Sequence, residues 1–228
     1  MNTVSTIREV IAHPAAPYDL APGTVLPPES QISGGLLETL LSRRSRRSFD
    51  GSHVALEDVS ALLRYSCGVT AHNQDSHGNV WGLRCAPSGG ALFPLDTYCA
   101  ALRVDGLVPG RYAYDPEGHQ LRLVGPGDAA DDLGGATYLR EESDLAGLAV
   151  VLVANLSRSE FKYGERGYRF ILLEAGHIMQ NLLIVAEALG LAAVPVGGFV
   201  DRSINRLFAL DGYEQVAVYM ALFGTPAE

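Results

Sequence analysis

The stretch over residues 168–189, YRFILLEAGHIMQNLLIVAEAL, constrains the fold of this chain more than any other. It holds no proline and one glycine, Gly176, and in helical form it makes roughly six turns. Apolar residues lie on nearly every side, so such a helix must be buried all round, in the middle of a domain or against a second copy of the chain. Its few polar groups, Glu174, His177 and Asn181, fall at i, i+3 and i+7 and form one narrow stripe. That stripe needs partners, in a core network or a dimer-interface network. Glu174 and His177 also make the Glu-x-x-His spacing of di-iron bundles, but such a site needs a second pair, and no other Glu-x-x-His occurs. A membrane span is disfavoured by Arg169, Glu174, His177 and Glu187 within the segment. The segment reads as the core helix of a soluble protein.

Around that helix, 228 residues of which 47% are hydrophobic suffice for a sizeable core. A formal net charge of -9 argues against a nucleic-acid partner, which would need a basic face. Cys67, Cys85 and Cys99 are odd in number and contain no Cys-x-x-Cys, so neither a disulfide framework nor a zinc site is indicated. The N-terminus lacks the charged start and continuous apolar run of a signal peptide. Both features point to the cytoplasm.

Residues 1–33 carry Pro14, Pro17, Pro22, Pro27 and Pro28 with little apolar periodicity, and are expected to form an extended arm. From Gly35 a short amphipathic helix runs into RRSRRSF, where Arg43, Arg44, Arg46 and Arg47 cluster in an otherwise acidic chain. This is either a surface basic patch or a site for a phosphate or other anion, with Ser45 among the guanidinium groups. Residues 56–64 have helical apolar spacing, with Ser52 as the candidate cap. Residues 70–82 read as a loop with two solvated histidines, His72 and His77. In CAPSGGALFPLD, Pro87, Gly89, Gly90 and Pro94 around Ser88 forbid regular structure, and paired glycines let backbone approach a ligand closely.

Residues 97–104 read as a strand, and GRYAYD with HQLRLV as a hairpin turning at Pro116-Glu117-Gly118. Residues 148–156, LAVVLVANL, have the continuous apolar character of a strand buried on both faces. A polar connection, SRSEFKYGERGYR, feeds the long helix. After it come a short strand closing on Gly197 and Gly198, a brief helix capped by Asp201, and a last buried strand, QVAVYMALFG. No internal repeat or interdomain linker separates these elements, so residues 34–228 are expected to form one α+β domain.

Taken in order, the Arg-rich turn, the Pro-Ser-Gly-Gly loop and the Gly-Gly after the long helix resemble the nitroreductase superfamily of flavoproteins. RRSRRSF, APSGGALFPLDTY, GRYAYDPEGHQLRLV, KYGERGYRFILLEAGHIMQNLLIVAEALGL and PVGGF are more closely similar to its SagB-type dehydrogenase branch, which includes azoline oxidases of peptide biosynthesis. The resemblance implies a central mixed β-sheet flanked by helices, a homodimer, and FMN at the dimer interface. Carried over by motif, Arg43, Arg44, Ser45 and Arg47 would hold the FMN phosphate, ribityl chain and pyrimidine edge, a role suited to bidentate guanidinium groups. Pro87, Ser88, Gly89 and Gly90 would lie along the isoalloxazine, and Gly197 and Gly198 would bring backbone amides to the flavin N5 region. Glycine suits both places because a side chain there would block the reactive face.

The same resemblance makes Lys162 and Tyr163 the catalytic pair. Lys162, desolvated near the flavin, would be the base that takes a ring proton, and Tyr163 would relay or orient. The chain departs from the superfamily in ending at FGTPAE, without the basic residue that many members place after this glycine. Phosphate binding is therefore expected to rest on the N-terminal arginines. The larger azoline oxidases also carry an N-terminal peptide-engaging domain, which 33 Pro-rich residues cannot form, so a partner is expected to present the substrate. That partner is a cyclodehydratase with its precursor peptide, or a carrier protein of a peptide synthetase. Two other functions stay open: an NAD(P)H-dependent nitro- or quinone reductase, and a non-catalytic flavin-binding scaffold subunit.

Overall fold

The strand β7, Leu148–Asn155, is buried along all eight of its residues, and the sheet is assembled around it. The computed structural model describes residues 23–32, 35–74 and 76–227, so most of the arm expected over residues 1–33 lies outside the described residues. On one side β7 pairs with β4, Leu95–Ala101, which continues into the hairpin of β5, Gly110–Asp115, and β6, Gln120–Pro126. On the other it pairs with β9, Gln215–Gly224, and β9 pairs with β8, Ala192–Val196. A two-residue strand β1, Thr24–Val25, closes the far edge against β6, giving the order β1-β6-β5-β4-β7-β9-β8.

Every described pairing between strands is antiparallel, which corrects the expectation of a mixed sheet. The chain leaves β7 through two helices and returns in β8 parallel to it, the usual βαβ arrangement. β9 then inserts between them and is antiparallel to both, so β7 and β8 do not pair with each other.

The long helix is α6, Arg166–Ala188, preceded by α5, Ser157–Tyr163. Ile171, Ala175, Ile178, Met179, Leu182 and Ala186 of α6 join Leu95, Val150, Leu152 and Phe223 in the core on one sheet face. α2, Leu56–Cys67, packs beside α6 and adds Val59, Leu62 and Leu63 to this core. The opposite face buries Tyr98, Val151, Val153 and Met220 beneath α3, Ala130–Ala136, α4, Arg140–Leu145, and α7, Asp201–Leu207. α1, Leu36–Ser42, precedes the Arg-rich turn.

α6 has the length and apolarity of a membrane span, yet half of that window is buried against the protein's own sheet, as in a core helix. It is not buried all round within one chain: Tyr168, Leu172 and Leu173 are 48%, 43% and 54% exposed. α1 likewise exposes Leu37 and Leu41, at 75% and 78%. The polar stripe does not form one network, since Glu174 is buried, Asn181 donates to the Ser66 carbonyl at 3.3 Å and His177 is exposed.

Residues 70–82 are not a loop but the greater part of an antiparallel ribbon, β2, Val69–Gln74, with β3, Val80–Arg84. Both of its faces are largely solvated, so it carries no apolar alternation to betray it. Ser52 does not cap α2. Its backbone amide instead donates to Asp50 Oδ1 at 2.7 Å, and the helix starts after Ala55 without a side-chain cap. Asp201 likewise lies inside α7 rather than capping it. The segment before α1 is anchored where Ser60 donates to the Pro27 carbonyl at 2.7 Å, and Leu26 beside it is buried.

Candidate active site

The loop over residues 85–94 leaves β3 and turns sharply into β4. Ser88 is extended, and Gly90, Ala91 and Phe93 then all have positive φ, at 67°, 54° and 45°. For alanine and phenylalanine this conformation costs roughly 1 kcal/mol or more each. Such strain persists only where the surroundings hold it. The Phe93 amide donates to Ser88 Oγ at 2.9 Å, the Ala91 amide to the Ser88 carbonyl at 3.1 Å, and the Arg84 guanidinium lies 4.9 Å from the Phe93 ring centroid.

Beneath the loop runs α6. Phe170 and Glu174, one turn apart on the same face, lie under it: a Cβ built on Gly89 would sit 3.6 Å from Phe170, and Ser88 is close enough to Glu174 to act on its carboxyl. Glu174 is 3% exposed. Burial pushes its carboxyl up to about 7, opposed by the Ser88 hydroxyl and by the positive charges of Arg84 and Arg158.

Lys162 and Tyr163 reach the same loop from α5. A Cβ on Gly90 would lie 2.6 Å from both Lys162 Nζ and Tyr163 Oη, so the two side chains end against its bare backbone. Tyr163 stands edge-on to Phe170, with centroids 4.7 Å apart, and Lys162 Nζ is 5.3 Å from the Tyr163 ring centroid. One turn earlier on α5, Arg158 makes a buried two-pronged pair with Asp96 of β4, at 2.7 and 3.1 Å. Asn155 donates to the same carboxylate at 2.9 Å and accepts from Gln215 of β9 at 3.1 Å. The start of α5 is thereby fixed to two strands. Its end folds back onto α6 at an elbow where a Cβ on Gly167 would meet the Glu160 backbone at 2.9 Å, so only glycine fits.

The Arg-rich turn lies at the other end of α6. The Arg46 amide donates to the Ala193 carbonyl of β8 at 2.9 Å, and its guanidinium pairs with Glu187 at 2.9 and 3.0 Å. Arg44 folds back on its own turn, donating to the Leu41 and Arg43 carbonyls. Ser45 and Arg47 are exposed, and among the described residues no carboxylate pairs with Arg43 or Arg47. β8 then leads to Gly197 and Gly198, and a Cβ on Gly198 would meet nothing within 4 Å. This donor set suits a flavin: guanidinium groups that no carboxylate among the described residues claims, for a phosphate, and open glycine backbone for a flat ring.

One chain thus gathers Ser88, Gly89 and Gly90 with Lys162 and Tyr163, and places Arg43, Arg44, Ser45 and Arg47 elsewhere. The 17 residues from Phe170 to Glu187 separate the two anchor points by about 25 Å along α6. Pro87 is exposed at the rim of the loop. Lys162 is exposed in the single chain, so the desolvation expected for it is not supplied by its own fold. Beside Tyr163 an open depression of about 950 Å3 is lined by Arg166, Tyr168, Arg169, Leu172 and Leu173, among others. Sequence reasoning missed Arg158, Asp96 and Phe170. It named Glu174 but not its nearness to Ser88.

The match of residues 40–225 to the nitroreductase family model now has a structural counterpart, and the chain belongs to the nitroreductase family. It is 32% identical over 178 residues to MJ1384 of Methanocaldococcus jannaschii, named as a nitroreductase, covering 78% of this chain and 86% of that one. It is also 27% identical over 182 residues to the microcin B17-processing protein McbC of Escherichia coli and 26% identical over 173 to the trifolitoxin-processing protein TfxB of Rhizobium leguminosarum bv. trifolii. These alignments cover 77% and 73% of this chain but only 64% and 46% of McbC and TfxB. Among solved structures, a nitroreductase-type protein of Ralstonia eutropha superposes with TM-score 0.70 at 26% identity, covering 92% of this chain and 96% of that one. A chain of the Escherichia coli microcin synthetase McbBCD complex with truncated pro-MccB17 gives 0.68 at 23%, covering 95% and 84%. A Desulfovibrio desulfuricans nitroreductase-type protein in complex with FMN gives 0.58 at 18%, covering 86% and 88%; at that identity, as for McbBCD, the likeness is one of fold.

Proposed function

We propose that this chain is an FMN-dependent dehydrogenase of the SagB type, which oxidises an azoline or similar unit to an azole on a peptide or a carrier-protein-bound substrate. The observation that carries this reading is the meeting of Lys162 Nζ and Tyr163 Oη over the backbone of Gly90. Kinship with two peptide-processing proteins supports the substrate class, and the FMN complex of a structural neighbour supports the cofactor.

FMN held at this site would supply the acceptor for the hydride that leaves one ring carbon of the azoline. The protein's part is the remaining proton. Lys162, as the free amine, takes it from the neighbouring ring carbon, and Tyr163 Oη, against the same glycine, orients the amine and the ring. Arg158 and Asp96 fix the base of α5, so Lys162 one turn on is presented from a rigid support.

The flavin site is read as one shared between two copies of the chain. The exposed leucines of α1 and α6 make the kind of apolar surface that marks an interface. The 25 Å between the Arg-rich turn and the Gly89–Gly90 loop is bridged more readily when each copy contributes one of them. Arg43 and Arg47 would hold the phosphate and Gly197 and Gly198 the ring. A cyclodehydratase or a peptide synthetase would present the substrate.

Lys162→Ala separates the readings. For an azoline oxidase it retains flavin but loses on the order of a hundredfold or more in the oxidation of a thiazoline-containing peptide. For an NAD(P)H-dependent nitro- or quinone reductase, which needs no carbon-bound proton removed, it reduces nitroarenes at the parental rate. A parent protein that binds FMN and does neither is a scaffold.

A further inference from the structure

We propose that Phe170 is a positioning residue of this site: its ring, set against both Gly89 and Tyr163, fixes the direction in which the Tyr163 hydroxyl meets the Gly90 turn. Its neighbours on α6, Ile171 and Ala175, belong to the core over the sheet, but Phe170 belongs to neither core and is only half-buried. What it does touch is the site. A Cβ built on Gly89 would lie 3.6 Å from Phe170 Cβ, Cγ and Cδ2, an ordinary packing distance, so the loop backbone rests on this side chain. The Tyr163 ring meets the Phe170 ring at 4.7 Å between centroids and 81° between planes. One side chain therefore spaces the loop from the tyrosine.

Tyr163 needs such a support because little else directs it. It is the last residue of α5, and the chain breaks away at Gly164, with φ at 56°. Helix ends fray, and the Arg158–Asp96 pair anchors the opposite end of α5. Among the described residues no hydrogen bond holds the Tyr163 hydroxyl. Lys162 Nζ, 5.3 Å from the ring centroid, lies over the ring without fixing its tilt. An edge-on aromatic pair does fix a tilt, since the rim of one ring is drawn to the face of the other, and it favours one orientation by up to roughly tenfold. Leucine at 170 would keep an apolar side chain under the loop and lose that directionality. The consequence for catalysis rests on Lys162 and Tyr163 being the working pair; the contact itself does not.

The test uses the full chain isotopically labelled in its tyrosine rings, with Tyr163 assigned by its loss in Tyr163→Phe. In the parent, with and without added FMN, the Tyr163 ring is expected to be as rigid as that of the buried Tyr98 and to show magnetic cross-relaxation with the Phe170 ring. In Phe170→Leu it becomes mobile, and in Phe170→Tyr it is rigid again. With a thiazoline-containing peptide, Phe170→Leu lowers kcat roughly tenfold with KM changed by less than about twofold, and Phe170→Tyr restores it. In a Tyr163→Ala background, Phe170→Leu lowers kcat no further, because nothing is left to orient. A parental Tyr163 ring that is mobile, or shows no contact with Phe170, overturns the proposal even if Phe170→Leu folds poorly. So does a ring that stays rigid in Phe170→Leu, or a kcat loss that is the same with Tyr163 present and absent. If Tyr163→Ala oxidises the peptide at the parental rate, the reading of the pair fails, and ring relaxation alone decides whether Phe170 orients Tyr163.

Discussion

Gly90→Ala perturbs the site at its narrowest point. The new methyl would lie 2.6 Å from Lys162 Nζ and 2.6 Å from Tyr163 Oη, while φ at this position is +67°. The backbone cost of an alanine in the left-handed region is roughly 1–2 kcal/mol, offset by the lower entropy of the unfolded alanine chain, for a net loss of about 1 kcal/mol. The clash itself adds little to that loss, because both opposing atoms are the free ends of flexible side chains. They are also the atoms proposed to do the chemistry. To reach ordinary contact distance each must retreat by roughly 1 Å, and a misplacement of that size costs on the order of a hundredfold in rate. The expected variant is therefore folded, only slightly less resistant to urea, and about two orders of magnitude slower in oxidising a thiazoline peptide. Oxidation within threefold of the parent, in protein of unaltered flavin content, would refute the claim that Lys162 and Tyr163 act from their places against Gly90.

Arg47→Ala should weaken FMN binding at least tenfold in a flavin titration, and Arg44→Ala should weaken it less, because Arg44 is committed to carbonyls of its own turn. Equal and undiminished affinities would move the phosphate site away from this turn. Leu173→Glu, at a position 54% exposed in one chain, should leave the monomer folded but shift sedimentation equilibrium from dimer to monomer and release flavin; a variant that sediments as the parent does would place the interface elsewhere. Glu174 makes stability pH-dependent in a known direction. Its carboxyl is raised from 4.5 to about 7 on folding, so its contribution is fully present below the unfolded value and is lost as pH rises through 7, by about 3 kcal/mol in all. Urea unfolding should show most of that loss between pH 5 and 8 in the parent and little in Glu174→Gln; parallel pH profiles would contradict it.

How far the sequence could be read depended on what kind of fact each residue reports. β7 was legible because a strand covered on both faces is apolar at every position, and the β5–β6 hairpin because Pro116 and Gly118 mark its turn. The β2–β3 ribbon was not, since both of its faces are largely solvated and its composition is that of a loop. The sense of the sheet was equally hidden. Nothing in residues 215–224 announces that this last strand slips between β7 and β8, and that one placement turns a parallel pair into two antiparallel ones. Arg158 and Asp96 are 62 residues apart, each among charges that look like ordinary surface.

The long helix shows the same division more sharply, because its residues do two jobs. Ile171, Ala175, Ile178 and Leu182 cover the sheet, and that duty is written in their spacing. Phe170, Glu174 and Glu187 act on segments from early in the chain, and their meaning depends on what lands on them: Gly89, Ser88 and Arg46. A buried carboxylate can be seen to need a partner without the partner being visible, which is why Glu174 stood out on its own while Ser88 stood out only as part of a glycine-rich loop. The helix is therefore less a hydrophobic rod than a ruler. Its length sets the distance between the loop at one end and the arginines at the other, and that distance is what the proposal of a flavin site shared with a second copy rests on.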